Sequence, residues 1–255
     1  MSRSLFIGWD VGGWNCDHNA RSRDAIVILD EALRIVGVPW RGNLRESINA
    51  AATSGDWIAA LARLCGLEPP ADACVTLAID TPLGFPAAFL ALGSALHPVG
   101  PIEESRANPY LYRHTERLLF NGNVGPLSAI KDMIGSQATK GMHVLAKFAP
   151  RIERCGVWTD DAGLRVIETY PAACRRADAD KVALASLTPL KHDDLNDARV
   201  CALVASLFAT APDAFAGPPQ GVPIREGWIW VPKGGKLQEL LTGRTRLVKP
   251  EAAHA

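Results

Sequence analysis

The stretch Cys74-Val-Thr-Leu-Ala-Ile-Asp80 is a continuous apolar run that ends in a carboxylate. Runs of this length and composition are typical of a central strand that is buried on both faces of an α/β sheet. The preceding segment, from 44 to 67, is rich in Ala, Leu, Ile and Trp and is predicted to form one or two helices. Because a helical crossover joins parallel strands, we expect this strand to lie parallel to a strand nearer the N-terminus.

Three shorter runs precede the helical segment, and their short connections predict an antiparallel meander. They are Leu5–Val11, Asp24–Asp30 and Ala32–Val38. Later segments predict strands at 156–158, 164–168 and 226–232, a helix from about 194 to 210, and a helical insertion over about 84–150 whose last helix covers 131–151. We therefore predict a single α/β domain over residues 1–255.

Composition excludes several classes of protein. The chain has 255 residues, of which 48% are hydrophobic and 21% charged, so it is long and apolar enough to bury a core without disulfides or a structural metal. Its 27 basic and 27 acidic residues give no net charge, which argues against binding nucleic acid or membrane by bulk charge. The six cysteines form no C-x-x-C pair, and no signal peptide or membrane span is evident, so we expect a reduced, cytoplasmic protein.

Acidic residues stand in or at the ends of the predicted strands. Asp10 lies within the first apolar run, Asp80 ends the fourth, and Glu168 ends the run at 164–168. Ligands of open α/β sheets bind outside the carboxyl ends of the strands. Taken singly, an acid at a strand end is often a turn residue. Together, the three acids predict a site at one edge of the sheet.

The run His192-Asp-Asp-Leu-Asn-Asp-Ala198 opens the late helix. Asp194 and Asp197 are three residues apart, so they share a helical face. That face continues in apolar residues and is expected to pack on the sheet. Carboxylates turned toward the protein repel each other and lose hydration, and a bound Mg²⁺ or Mn²⁺ ion would offset both effects. The alternative is that Asp194 merely caps the helix.

His192 precedes this acidic pair. A histidine in this position would orient a water molecule or carry a proton during catalysis. The alternative is an exposed histidine at the start of the helix.

Together, these segments resemble the ribonuclease H-like superfamily, and most closely the domain of unknown function family 429. The segments that carry the resemblance are 7–14, 78–86, 112–117, 166–171 and 192–198. The resemblance implies a mixed five-stranded sheet whose first three strands are antiparallel, with helices on both faces. It also implies acids on the first strand, the fourth strand and a late helix.

The Holliday-junction resolvase branch of this superfamily has its last two acids three residues apart on the final helix, and Asp194 and Asp197 match that spacing. By the same resemblance, Asp10 matches the first-strand acid, which bridges metal ions. Asp80 matches the fourth-strand acid by position and charge, although that branch commonly has Glu there. Glu168 has no certain counterpart. The implied metal ligands are therefore Asp10, Asp80, Asp194 and Asp197.

Basic residues are concentrated in the predicted insertion, namely Arg106, Arg113, Arg117, Lys131 and Lys147. Arg113 and Arg117 share a helical face with Glu116, and their guanidinium groups would bind substrate phosphate over the site. The alternative is a solvated helix face with local ion pairs.

These patterns favour a metal-dependent nuclease that acts on nucleic acid or on a phosphorylated small molecule. A second interpretation is an ATPase or kinase of the actin and sugar-kinase type, because Asp10-Val-Gly-Gly13 has the form of a phosphate-binding turn. One chain of 255 residues is short for the two core domains that such kinases usually need. A third is a binding protein without catalytic activity, whose acids would hold no metal.

Overall fold

The computed structural model describes residues 4–68, 72–102, 104–119 and 125–243. One mixed sheet contains the strands β1 (Ser4–Asp10), β2 (Asp24–Leu29), β3 (Trp40–Gly42), β4 (Cys74–Asp80), β5 (Arg151–Arg154), β6 (Val157–Thr159) and β7 (Leu164–Glu168). In space they follow the order β3-β2-β1-β4-β7-β6-β5. β1, β4 and β7 are parallel, and the other neighbours are antiparallel.

The predicted α/β class is confirmed, and so is the parallel pairing of β1 with β4. The sheet has seven strands rather than the expected five, because β5 and β6 extend it beyond β7. The helix predicted over 131–151 ends at Phe148 instead. Pro150 accounts for this difference, since proline disfavours the helical conformation of the residue before it.

The prediction of a third strand at 32–38 is wrong. The Asp30 carboxylate accepts hydrogen bonds from the backbone N–H groups of Ala32 (3.0 Å) and Arg34 (2.9 Å) and also binds the Arg34 guanidinium. These contacts fold the segment into a turn, in which Leu33 has a φ of +60°. The strand that pairs with β2 is β3, farther along the chain.

The strand predicted at 226–232 is reduced to two isolated bridges, from Ile229 to Glu168 and from Pro232 to Phe215. Gly227 has a φ of +74°, outside the extended region, and Pro232 has no backbone N–H to donate. A continuous strand therefore does not form there.

Helices cover both faces of the sheet. They are α1 (Arg45–Ala50), α2 (Ser54–Leu64), α3 (Ala87–Ala95), α4 (His114–Leu119), α5 (Gly135–Phe148), α6 (Pro171–Cys174), α7 (Asp178–Ala185), α8 (Asp193–Thr210) and α9 (Lys236–Leu241). Side chains alternate between the faces along β1. Leu5, Ile7 and Trp9 pack with α2 and α5, whereas Phe6 packs with α8. Within the described residues, no helix is long and apolar enough to cross a membrane.

Gly8 allows α8 to lie directly against β1. A Cβ atom at this position would stand 1.8 Å from the carbonyl oxygen of Ala198 and 2.4 Å from the backbone nitrogen of Ala202. Both alanines are fully buried. The close approach brings the first turn of α8 beside the carboxyl end of β1.

We expect Gly8→Ala to lower the free energy of unfolding by about 3 kcal/mol, the upper part of the range for overpacking, because the obstructing atoms are backbone. Urea denaturation would measure the change. Gly93→Ala in α3 is the matched control, since an added Cβ there meets nothing within 4 Å. That variant should be as stable as the wild type or up to about 1 kcal/mol more stable. Equal midpoints for Gly8→Ala and the wild type would contradict the packing argument.

Candidate functional site

Asp10 and Asp80 form a pair at the carboxyl edge of the sheet. They are the last residues of β1 and β4, and the parallel register sets them side by side. Gly8 and Ala78, two residues earlier on each strand, lie against or cluster with α8, so both acids are on the α8 face. The sequence predicts that Asp10, within the first apolar run, and Asp80, at the end of the fourth, lie at one edge of the sheet, and the register places them together there.

Burial and neighbouring negative charges raise the pKa values of this pair. Burial is the largest cause for both carboxyls, and the charge of Asp80 raises the pKa of Asp10 further. The charges of Asp197 and Glu168 add to the effect of burial on Asp80, whose pKa rises to about 8, while Arg175 opposes the rise. The pair therefore retains a proton at neutral pH unless a cation replaces it.

Asp194 and Asp197 lie near the pair, and the charges of both raise the pKa of Asp10. Each has an arginine partner. Asp194 is buried and accepts hydrogen bonds from Nε of Arg41 (2.7 Å) and from the backbone N–H of Arg23 (2.9 Å). Asp197 forms an ion pair with Arg175, with 2.5 Å between Oδ1 and Nη2. The two helix acids are therefore neutralised by the protein itself.

His192 is the N-cap residue of α8. Its Nδ1 accepts a hydrogen bond from the backbone N–H of Asp194, at 3.3 Å. About a third of the side chain is exposed. This geometry agrees with the alternative that His192 begins the helix rather than taking part in catalysis. Its ring nitrogen accepts from a backbone N–H group that would otherwise have no partner within the helix.

Glu168 belongs to a buried network on the other face. Side chains alternate between the two faces along β7, so Glu168 shares a face with Leu164 and Val166. Both of these pack with α5 rather than with α8. Its carboxylate accepts two hydrogen bonds from Arg113, at 2.6 and 2.8 Å, and one from the backbone N–H of Leu83 at 2.9 Å. Glu168 therefore lies on the α5 face, whereas Asp80 lies on the α8 face, and the charge of Glu168 raises the pKa of Asp80.

The prediction that Arg113 binds substrate phosphate is wrong. Its side chain is fully buried, and its guanidinium donates to Glu168, to Glu116 and to the backbone oxygen of Glu226. All these acceptors belong to the protein. The helix spacing that predicts an arginine face instead produces an internal ion pair with Glu116.

The other predicted basic residues are not among the described residues that line the cleft beside Asp10, and one of them, Lys147, donates to the backbone oxygen of Ile48 at 2.6 Å. Arg106 and Arg117 line a separate surface pocket of about 410 Å³, and Lys131 pairs with Asp132 at 2.9 Å. Among the described residues that line the cleft beside Asp10, none of these three occurs. The expected basic cluster over the site is therefore not assembled from these side chains.

The acidic cleft, as we name the opening beside Asp10 and Asp80, has a volume of about 160 Å³. Glu168 and Tyr170 contribute polar atoms to its walls, and Leu127 and Ile134 contribute apolar surface. Burial raises the pKa of the Tyr170 hydroxyl, and the charge of Asp80 raises it further. The cleft combines carboxylates with an apolar wall.

A buried pair that the sequence analysis did not assign, Asp24 and Lys140, holds the turn after Asp10. Asp24 accepts hydrogen bonds from Nε1 of Trp9, from the backbone N–H groups of Gly12 (2.9 Å) and Leu44, and from Lys140. Lys140 also reaches the carbonyl oxygens of Gly12 and Gly13. The sequence signal for this pair is the position of Lys140 on the buried and otherwise apolar face of α5.

The sequence analysis also did not predict the arginine partners of Asp194 and Asp197. Arg41 and Arg175 lie far from these acids in sequence. Among the residues that the structure describes, no group of three or more His, Cys, Asp or Glu side chains is arranged to hold a metal ion. Asp10 and Asp80 remain as a two-carboxylate pair. That pair fits Mg²⁺, which takes one or two carboxylates together with water and substrate phosphate.

Comparison of the chain with protein-family models, with curated proteins and with solved structures gave no match. The resemblance to the ribonuclease H-like superfamily therefore stays a prediction from sequence. The function is argued below from the acidic cleft itself.

We expect wild-type stability to fall as the pH rises from about 5 to 8. Unfolded aspartate titrates near 3.9, whereas folded Asp80 titrates at about 8, so in this window the folded state binds more protons. Asp80→Asn should flatten this decline in urea denaturation series, because the amide cannot ionise. The exposed Asp213→Asn variant is the control. An unchanged pH slope in Asp80→Asn would contradict the raised pKa.

We expect Lys140→Met to cost about 3–5 kcal/mol in the free energy of unfolding, because it leaves the buried Asp24 carboxylate without its cation. The double variant Asp24→Asn/Lys140→Met should recover part of this loss. Lys131→Met removes an exposed lysine and should leave the urea midpoint nearly unchanged. If Lys140→Met and Lys131→Met unfold at the same urea concentration, the buried pair does not stabilise the turn.

Proposed function

We propose that this protein is a metal-dependent phosphodiesterase that acts on nucleic acid, with one Mg²⁺ or Mn²⁺ ion held by Asp10 and Asp80. The observation that carries the proposal is the side-by-side pairing of these two half-buried carboxylates at the carboxyl edge of the sheet. Two adjacent carboxylates are costly to ionise in such a place, because burial and neighbouring negative charges raise their pKa values. A divalent cation relieves that cost.

The element order supports a fold of the ribonuclease H-like type. The first three strands pair antiparallel, β1 pairs parallel with β4, and a late helix crosses β1 with its acids near the strand ends. We propose this fold for the chain, with β5 and β6 as additions to the sheet.

The chemistry proposed is hydrolysis of a phosphodiester. A water oxygen forms a bond to phosphorus, the bond from phosphorus to the leaving sugar oxygen breaks, and a proton ends on that oxygen. A divalent cation, when bound, would lower the pKa of water and polarise a phosphate oxygen. Asp10 and Asp80 would hold the cation, and the Asp24–Lys140 pair fixes the turn that follows Asp10.

The size of the acidic cleft and the zero net charge of the chain favour a narrow substrate. A volume of about 160 Å³ admits part of a nucleotide, and an unpaired segment or a strand end presents such a part more freely than a stacked duplex does. Leu127 and Ile134 provide an apolar wall for a base or sugar. We therefore propose single-stranded or branched nucleic acid as the substrate class.

The kinase alternative receives less support from the turn after β1. The Gly12 N–H donates to Asp24, and the carbonyl oxygens of Gly12 and Gly13 accept from Lys140. A phosphate-binding turn needs N–H groups directed at the ligand. The Gly12 N–H is already used inside the protein.

Cleavage of labelled single-stranded, duplex and branched oligonucleotides with Mn²⁺ tests the proposal. We expect Asp10→Asn to lower the rate by more than about 100-fold, since a direct ligand should matter at least as much as the outer-shell partners of a metal. Asp213→Asn is the control. An ATP turnover assay runs in parallel. ATP turnover without cleavage of any oligonucleotide, lost in Asp10→Asn, would favour the kinase alternative instead.

A further inference from the structure

The first turn of α5 has backbone N–H groups without partners. Its N-cap residue is Ile134, whose apolar side chain cannot accept a hydrogen bond. Among the described residues, the N–H groups of Gly135, Ser136 and Gln137 have no hydrogen-bond acceptor. The nearest preceding acid, Asp132, accepts from two other residues instead. The N-terminus of this 14-residue helix is therefore uncapped.

This helix terminus lies at the acidic cleft. Ile134 and Gln137 both line the cleft, together with the two strand acids. Between them, Ser136 Oγ accepts a hydrogen bond from the backbone N–H of Trp14 at 3.0 Å, which joins the first turn of α5 to the turn after β1. The free N–H groups at a helix N-terminus carry a partial positive charge and bind anions.

A second observation at the same cleft is the hydroxyl of Thr81. This residue lines the cleft and is only 5% exposed, yet its Oγ1 has no hydrogen-bond partner among the described residues. Its methyl group faces α5, since a Cβ atom added to Gly141 would stand 2.6 Å from that methyl. Gly141 lies one turn beyond Gln137 on the same face of α5. A buried hydroxyl without a partner is uncommon and indicates that a further group binds there.

The carboxamide of Gln137 adds a further donor to this side of the cleft. The side chain is half-buried and forms no hydrogen bond within the described part of the chain. Among the described residues that line the cleft, no lysine or arginine occurs. A phosphate oxygen in the cleft therefore meets neutral donors rather than a guanidinium or ammonium group.

We propose that the first turn of α5 is the phosphate-binding subsite of the acidic cleft. This inference rests on the proposed phosphodiesterase function. The first-turn N–H groups, the Gln137 carboxamide and the Thr81 hydroxyl donate hydrogen bonds to nonbridging oxygens of the substrate phosphate. The strand acids repel a phosphate unless a cation neutralises them, so phosphate and Mg²⁺ bind cooperatively at this cleft.

Nuclear magnetic resonance of the isotope-labelled full chain tests the inference, with Mg²⁺ present and inorganic phosphate as the probe. We expect the amide signals of Gly135, Ser136 and Gln137 to shift in a saturable titration, and omission of Mg²⁺ to weaken binding. Thr81→Val removes the hydroxyl and keeps the shape of the side chain. Its phosphate affinity should fall about tenfold or more, as for a lost hydrogen bond to a charged group.

The stability of the variants separates a binding role from a structural one. Thr81→Val should unfold at the wild-type urea concentration or higher, because it removes a buried hydroxyl that has no partner. Gln137→Ala should also lower phosphate affinity, and it carries the test if Thr81→Val fails to fold. Thr76→Val and Gln238→Ala are the matched controls, since Thr76 is similarly buried, Gln238 is exposed and neither lines the cleft. Both controls should bind phosphate as the wild type does.

Cleavage of single-stranded oligonucleotides with Mn²⁺ distinguishes failure of this inference from failure of the proposed function. Cleavage by the wild type without amide shifts in the first turn of α5 would overturn the inference and leave the function standing. So would wild-type phosphate affinity in both Thr81→Val and Gln137→Ala. Phosphate binding at these amides without cleavage of any oligonucleotide would overturn the proposed function and assign the subsite to free phosphate.

Discussion

The contact between Gly8 and the backbone of α8 is the constraint on which the candidate site depends. An α-helix can lie this close to a strand only where the strand has no Cβ atom and the helix presents small residues, here Ala198 and Ala202. The contact fixes how far the first turn of α8 stands from the end of β1. Asp194 and Asp197 therefore act electrostatically on Asp10, although more than 180 residues separate them in the chain.

Once the acids are brought together, the protein offsets most of their charge internally. Arg41 and Arg175 pair with the helix acids, Arg113 pairs with Glu168 on the opposite face, and Lys140 pairs with Asp24. Among the described residues, the Asp10–Asp80 pair forms no such ion pair, and its raised pKa values reflect burial and the neighbouring negative charges. The proposed divalent cation would bind at these two adjacent carboxylates.

Much of this arrangement is readable from sequence, because it depends on local patterns. Apolar runs that contain or end in an acid predict β1, β4 and β7, and the helical spacing predicts that Asp194 and Asp197 share a face. The partners of the acids were not predictable in the same way. Arg41 and Arg175 lie in segments with no distinguishing pattern, and only the fold brings them to α8. The Asp30 turn replaced a predicted strand because side-chain hydrogen bonds outweighed an alternating apolar pattern.

Diffraction from a crystal soaked in Mn²⁺, with the anomalous signal of the metal recorded, tests the central claim most directly. The account predicts one anomalous peak coordinated by the carboxylates of Asp10 and Asp80. Arg41 and Arg175 should remain on Asp194 and Asp197. A metal bound elsewhere, or carboxylates of Asp10 and Asp80 that point away from each other with no metal between them, would contradict it.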